Sequence, residues 1–251
     1  MTSAISVRFI GSGDAFGSGG RFQTCILLDG STERALIDCG ASSLVALKAS
    51  GTDPSTIGTI LITHLHGDHF GGIPFFVLDA QFAKRTDPLI IAGPPHIRTR
   101  VHEAMEVFFP KSSEVQQVFP IEFIELPAEV TIPIRNCRVT GFPVLHFSGS
   151  PAYALRVDFA GRIITYSGDT EWTDMLLKAA ENADLFICEA YFFEKKMKFH
   201  LDYQTLAKRR AELTCKRIVL THMSNDILER LEEVDAEVAY DGLKIDLQGK
   251  F

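Results

Sequence analysis

No apolar run in this 251-residue chain approaches the roughly 18 residues of a membrane-spanning helix, so a membrane partner is not expected. Cysteine is sparse. Cys25, Cys39, Cys137, Cys188 and Cys215 are odd in number, scattered and never arranged as CxxC. That excludes a disulfide frame or zinc finger and points to free, buried thiols. Low-complexity tracts, obvious repeats and long linkers are missing. So is any basic excess: the net charge of −7 argues against a non-specific nucleic-acid binder. Bound metal ions can nevertheless make a site positive on an acidic protein. The opening residues Met1-Thr-Ser-Ala-Ile-Ser-Val-Arg8 have neither the basic start nor the apolar core of a secretion signal, and a cytoplasmic location is expected.

Hydrophobic residues make up 46% and charged residues 23%, as in an ordinary globular protein, and the length suits one domain over 1–251. Short β-rich runs alternate with helical stretches. Strands are expected over 4–10, 23–29, 34–38, 58–63, 89–92, 135–144, 152–166 (turning at Ala160-Gly161), 184–188 and 217–221. Helices are expected over 41–50 (closed by Gly51), 70–85, 94–109 (opened by prolines), 173–182 and 202–214. Residues 240–247 close the chain as a hairpin or edge strand. This pattern fits a layered α/β sandwich better than a helix bundle.

What stands out is the segment Thr63-His-Leu-His-Gly-Asp-His69. Histidine and aspartate are costly to order for packing alone. In extended chain, residues two apart share a face, so His64 and His66 can address one cation together. Asp68 and His69 follow Gly67, where the chain can turn, and are free to serve a second ion. Two such ions need more ligands than this segment supplies. Three residues at expected strand ends are candidates: His146, Asp169 and His222. Asp169, with two oxygens, can bridge. A lone histidine after a strand is more often capped or solvated; the local HxHxDH cluster is much more specific.

With these residues the chain resembles the metallo-β-lactamase superfamily over nearly its whole length. The resemblance implies a four-layer αββα sandwich with two mixed β-sheets and two divalent ions, zinc first, with manganese or iron as alternatives. It implies that His64, His66 and His146 hold the first ion, Asp68, His69 and His222 the second, with Asp169 between them. Phe9-Ile-Gly-Ser-Gly-Asp-Ala-Phe-Gly17 with Arg21, Asp38-Cys-Gly40, and Cys188-Glu-Ala-Tyr-Phe192 followed by His200 are similar to segments of ribonuclease Z. The tail, with His200-Leu-Asp-Tyr-Gln-Thr205, Leu220-Thr-His-Met-Ser224 and Asp241-Gly242, looks closer to a phosphodiesterase that opens cyclic ribose phosphates. Only residues 147–168 separate His146 from Asp169, which leaves no room for ribonuclease Z's tRNA-gripping arm. That enzyme's His-Ser-Thr segment is also replaced here by His-Leu-Asp, and the cyclic phosphodiesterase's cysteine-rich zinc site is missing.

The resemblance therefore implies a phosphodiesterase that uses a metal-bridging hydroxide, with Asp68, His200 and Glu189 as the catalytic residues. His200 is the proton donor and Glu189 orients it. Asp38 is expected to fix the tautomer of a ligand histidine. A small-molecule or nucleotide phosphodiester is expected ahead of tRNA, and a homodimer is admitted because relatives frequently pair. The rival readings are a lactone or thioester hydrolase, a tRNA 3′-end endoribonuclease and a non-catalytic metal-binding scaffold. Lys195, Lys196, Lys198, Lys208, Arg209 and Arg210 read as solvated faces. Phe75, Phe76, Phe108 and Phe109 read as core, and His96 and His102 as surface or structural residues.

Overall fold

A computed structural model describes residues 5–247. The β-branched runs pair into two seven-stranded sheets. The first contains β1 (Ile5–Gly11), β2 (Cys25–Asp29), β3 (Arg34–Ile37), β4 (Thr59–Leu61), β5 (Leu89–Gly93) and β6 (Ile121–Glu125). The second contains β7 (Thr131–Ile134), β8 (Cys137–Val144), β9 (Ala152–Phe159), β10 (Arg162–Tyr166), β11 (Leu185–Glu189), β12 (Ile218–Thr221) and β13 (Glu237–Val238). The last strand, β14 (Lys244–Leu247), returns to the first sheet and pairs antiparallel with β1, an edge strand as expected.

Both sheets are mixed in the same way. β1, β2 and β3 pair antiparallel, and β3 to β6 run parallel. In the second sheet β7 to β10 are antiparallel and β10 to β13 parallel. Val7, Phe9, Ile26 and Leu28 of the first sheet meet Tyr153, Leu155, Val157 and Ile187 of the second in one buried cluster. The opposite face of the first sheet packs on α1 (Ser43–Ala49), α3 (Ile73–Phe82) and α4 (Ile97–Phe108). The opposite face of the second packs on α5 (Met175–Ala179), α6 (Tyr203–Arg209) and α7 (Asn225–Leu228). The result is the expected αββα layering.

The structure departs from expectation in places. Ala4, the first residue of the expected 4–10 strand, lies outside the described residues. The helix expected over 70–85 is the shorter α3, and a separate short helix, α2 (Gly67–Phe70), precedes it. The break falls at Gly71-Gly72, where the backbones crowd. A Cβ on Gly72 would lie 2.2 Å from the Gly40 carbonyl oxygen. β6 and β7 were not foreseen. Both sit at sheet edges, where half the side chains stay partly exposed and proline (Pro133 in β7) is tolerated, so neither shows a clean buried pattern. The Ala160-Gly161 turn is as expected, with φ of +48° and +80° between β9 and β10. All five cysteines are free. Among the described residues no helix is long and apolar enough to cross a membrane.

Candidate metal centre

β4 delivers the chain to His64, and His66 caps α2 in extended geometry. Asp68 and His69 then lie on the first helical turn. A helix turns by about 100° per residue, so these two leave the face shared by His64 and His66 and aim deeper. The remaining candidates arrive from the second sheet: His146 after β8, Asp169 after β10 and His222 after β12. The chain must bend sharply there. Gly168 has φ of +58°, and a Cβ on it would stand 2.9 Å from the Tyr153 carbonyl oxygen. His222 itself adopts φ of +56° and Asp38 +59°, left-handed conformations that cost non-glycine residues about 1–3 kcal/mol each.

All seven side chains meet at one edge of the sandwich. The ligand atoms of His64, His66 and His146 lie within 4.8 Å of one another, as do those of Asp68, His69, Asp169 and His222. Asp169 joins the groups: its Oδ2 is 3.8 Å from His64 Nε2 and 3.2 Å from His222 Nε2, and its Oδ1 is 3.3 Å from His69 Nε2. Asp68 Oδ2 lies 3.2 Å from His69 Nε2 and 3.8 Å from His222 Nε2.

The far side of most rings is anchored. His69 Nδ1 contacts Asp38 Oδ2 at 2.7 Å, and Asp38 in turn accepts the Thr63 N–H and hydroxyl, both at 2.8 Å. His146 Nδ1 sits 2.9 Å from the Phe199 carbonyl, His64 Nδ1 3.0 Å from the Thr63 hydroxyl and His222 Nδ1 3.4 Å from that of Thr24. Such anchoring fixes each tautomer and turns the other nitrogen inward.

The inward atoms are not satisfied by one another. His64 Nε2, His69 Nε2 and Asp169 Oδ1 are buried with no hydrogen-bond partner. His146 Nε2 and His66 Nδ1 face each other at 3.0 Å. Buried polar atoms without partners are costly, and convergent lone pairs of this kind are what a cation satisfies. The residues therefore fit a metal centre. Electrostatics divide the histidines: burial opposes ionisation of His69, yet Asp169, Asp68 and Asp38 push it well above the usual imidazole range, a proton that a bound ion would have to displace. Burial opposes ionisation of Asp169, yet His222 and His69 hold it well below the usual carboxylate range. Burial also depresses His64, His66 and His146, favouring the neutral, ligating imidazole.

His200 stands beside this cluster, with Nδ1 3.1 Å from Glu189 Oε2 and 4.0 Å from Asp169 Oδ2. Glu189 is fully buried at the end of β11 and also accepts the backbone N–H groups of Thr170 and Leu201. Burial pushes the Glu189 carboxyl up, with Asp169 adding to it. Burial would lower His200, but its bond to Glu189 prevails and its pKa is pushed up to about 9.

The glycine-rich loop over 11–20 runs alongside, with the Ser12 carbonyl accepting the His222 N–H at 3.2 Å. Asp241 pins that loop through Ser12 and Phe22, and Tyr191 stacks on His200. Neither role was foreseen. In the sequence Asp241 and Tyr191 stand only within segments that carry the resemblance, and neither has a spacing signal of its own. Lys195 and Lys198 lie over the rings of Phe192 and Phe199, and Lys196 pairs with Asp202. Of the four phenylalanines expected in the core only Phe76 is buried; Phe75 and Phe109 are half-buried and Phe108 is exposed, because they stack on one another at the outer side of α3 and α4. His96 precedes α4 and His102 edges on Phe123.

The chain is 26% identical over 276 residues to ribonuclease Z of Agathobacter rectalis, covering 89% of each chain. It superposes on the human short-form tRNase Z at 28% identity with a TM-score of 0.78, covering 96% of this chain and 98% of that one. The metallo-β-lactamase fold protein YhfI of Bacillus subtilis shares the fold at 18% identity and a TM-score of 0.80, covering 98% and 100%. The fold is thus the metallo-β-lactamase sandwich, with a histidine- and aspartate-lined centre at the edge of its sheets. A family profile spans nearly all of it, matching residues 5–239, and on that match the chain belongs to the family described as anti-Pycsar protein Apyc1.

Proposed function

We propose that this metal-dependent hydrolase is a phosphodiesterase acting on a small cyclic or nucleotide phosphodiester. His200 is the observation that carries the reading: a histidine fixed by a buried carboxylate, 4.0 Å from the aspartate at the middle of the centre. An alkoxide leaving from phosphorus needs a proton, and a positioned imidazole supplies one. We assign His64, His66 and His146 to one divalent ion and Asp68, His69 and His222 to another, with Asp169 reaching both; zinc is the first choice for this nitrogen-rich set. When bound, such ions supply positive charge for the phosphoryl oxygens and acidify water toward neutrality.

The chain's own residues do the rest. Asp169 and Asp68 hold negative charge at the centre. Asp38 keeps the Nδ1 proton of His69, so that Nε2 faces inward. Asp68, beside His222, is placed to accept a proton from the attacking water. His200 gives its proton to the leaving oxygen as the phosphorus–oxygen bond breaks, and Glu189 stabilises the charged imidazole beforehand.

Two features support a small substrate. The loop after β8, 145–151, is short, and β9 and β10 join by a tight turn, so neither connection carries an arm. Beside His200 lies a cavity of about 340 Å³ lined by Trp172, Met197, Lys198 and Glu171, within the size range of small-ligand sites. For a partner we propose a second copy of the chain. Exposed Phe82 on α3 and Val107 and Phe108 on α4 support pairing, and light scattering tests it.

The decisive experiment is a screen of zinc- or manganese-loaded protein against bis(p-nitrophenyl) phosphate, cyclic mononucleotides, a homoserine lactone, a thioester and precursor tRNA. The reading requires the diesters to turn over and His200→Ala to lose that activity. Preference for the lactone or thioester, or no turnover by metal-replete protein, overturns it.

A further inference from the structure

His200 is fixed at one atom by Glu189, and one hydrogen bond does not set the plane of an imidazole, whose outer torsion is soft. Something else must. Tyr191, two residues beyond Glu189, lies buried with its ring stacked on His200, centroids 4.6 Å apart and planes inclined by 28°. The same ring reaches His222, at 6.0 Å and 39°. His146 meets His200 edge-on at 5.2 Å.

The backbone of Tyr191 ties the neighbouring segments together. Its N–H donates to the Leu201 carbonyl at 2.8 Å, next to His200. Its carbonyl accepts the Ser224 N–H at 3.0 Å and hydroxyl at 2.6 Å, two residues beyond His222.

We propose that Tyr191 is the positioning residue of His200: its ring, held by backbone hydrogen bonds to the segments that carry His200 and His222, sets the plane in which the imidazole offers a proton. The proposal rests on the phosphodiesterase reading, in which His200 protonates the leaving oxygen. It makes a specific demand. A mispositioned proton donor harms substrates with basic leaving groups and spares those whose leaving group departs as a stable anion.

The test is a series of aryl phosphodiesters from p-nitrophenyl to unsubstituted phenyl, assayed with the metal-loaded full chain. Tyr191→Leu is expected to lower kcat on the phenyl ester about tenfold more than on the p-nitrophenyl ester, with metal content unchanged. Tyr191→Phe, which keeps the ring, restores the wild-type ratio to within about threefold. In a His200→Ala background, Tyr191→Leu adds no further leaving-group sensitivity, because both changes remove one function. Equal losses across the series, or an undiminished effect without His200, overturn the proposal while leaving the phosphodiesterase reading intact. A wild-type protein inactive on every diester overturns both. If Tyr191→Leu does not fold, Tyr191→Met, similar in bulk and equally without a ring, carries the same expectations.

Discussion

The two sheets supply the same centre by opposite routes. The first sends His64, His66, Asp68 and His69 from one short segment after β4. The second sends His146, Asp169 and His222 from the ends of three separate strands, with Glu189 from a fourth. The first route depends on local geometry: extended chain for two histidines, then a helical turn for the next pair. The second depends on register. Tyr166 lies opposite Ile187, Ile187 opposite Val219 and Glu189 opposite Thr221, so Asp169, Glu189 and His222 emerge at neighbouring heights. A slip of one residue would turn any of them to the other face of the sheet. Proximity along the chain is thus no guide to importance at the centre.

The largest effect should come from the residue that both groups share. Asp169→Ala is expected to take bound metal from about two ions per chain to fewer than one and to abolish turnover, as read by elemental analysis. His69→Ala and His222→Ala sharpen the comparison, since equal contributions require equal loss of metal. If His222→Ala keeps its full complement, the second sheet is the junior partner and the proposed ligand set is wrong. Next in size is His200→Ala, which should lower turnover of an alkyl-leaving diester by about 10²–10⁴-fold without altering metal content. Loss of metal in that variant would instead place His200 among the ligands, a third grouping its distance from His146 and Asp169 allows.

Asp38→Ala should weaken metal affinity by about 10–100-fold, measured by competition with a chromophoric chelator, because His69 loses the partner that orients it. The smallest effect belongs to Gly168→Ala. Its left-handed backbone and the nearby Tyr153 carbonyl predict a loss of about 1–3 kcal/mol, read as a lowered Tm.

How much was legible follows the same divide. The HxHxDH segment announced itself because its ligands are adjacent, and the buried strands because their apolar runs are continuous. His146, Asp169 and His222 were legible only as isolated residues at strand ends, and a resemblance was needed to group them. β6 and β7 escaped notice because edge strands are half-exposed. The role of Asp38 was foreseen, but its partner His69 was not singled out, since nothing in the spacing says which histidine faces it. Tyr191 could not be placed by any pattern, because its stack on His200 exists only once the segment after β11 lies against the one that carries His200.

The sequence by itself determined the periodicities that make two sheets and flanking helices, and a local knot of nitrogen and oxygen donors that has little other use. Tertiary structure alone decided that single residues separated by long stretches of chain meet at one edge, and which nitrogen of each ring points inward. The physical reason is that strand register and anchoring hydrogen bonds are relations between segments. Hydrophobic pattern and propensity act within one.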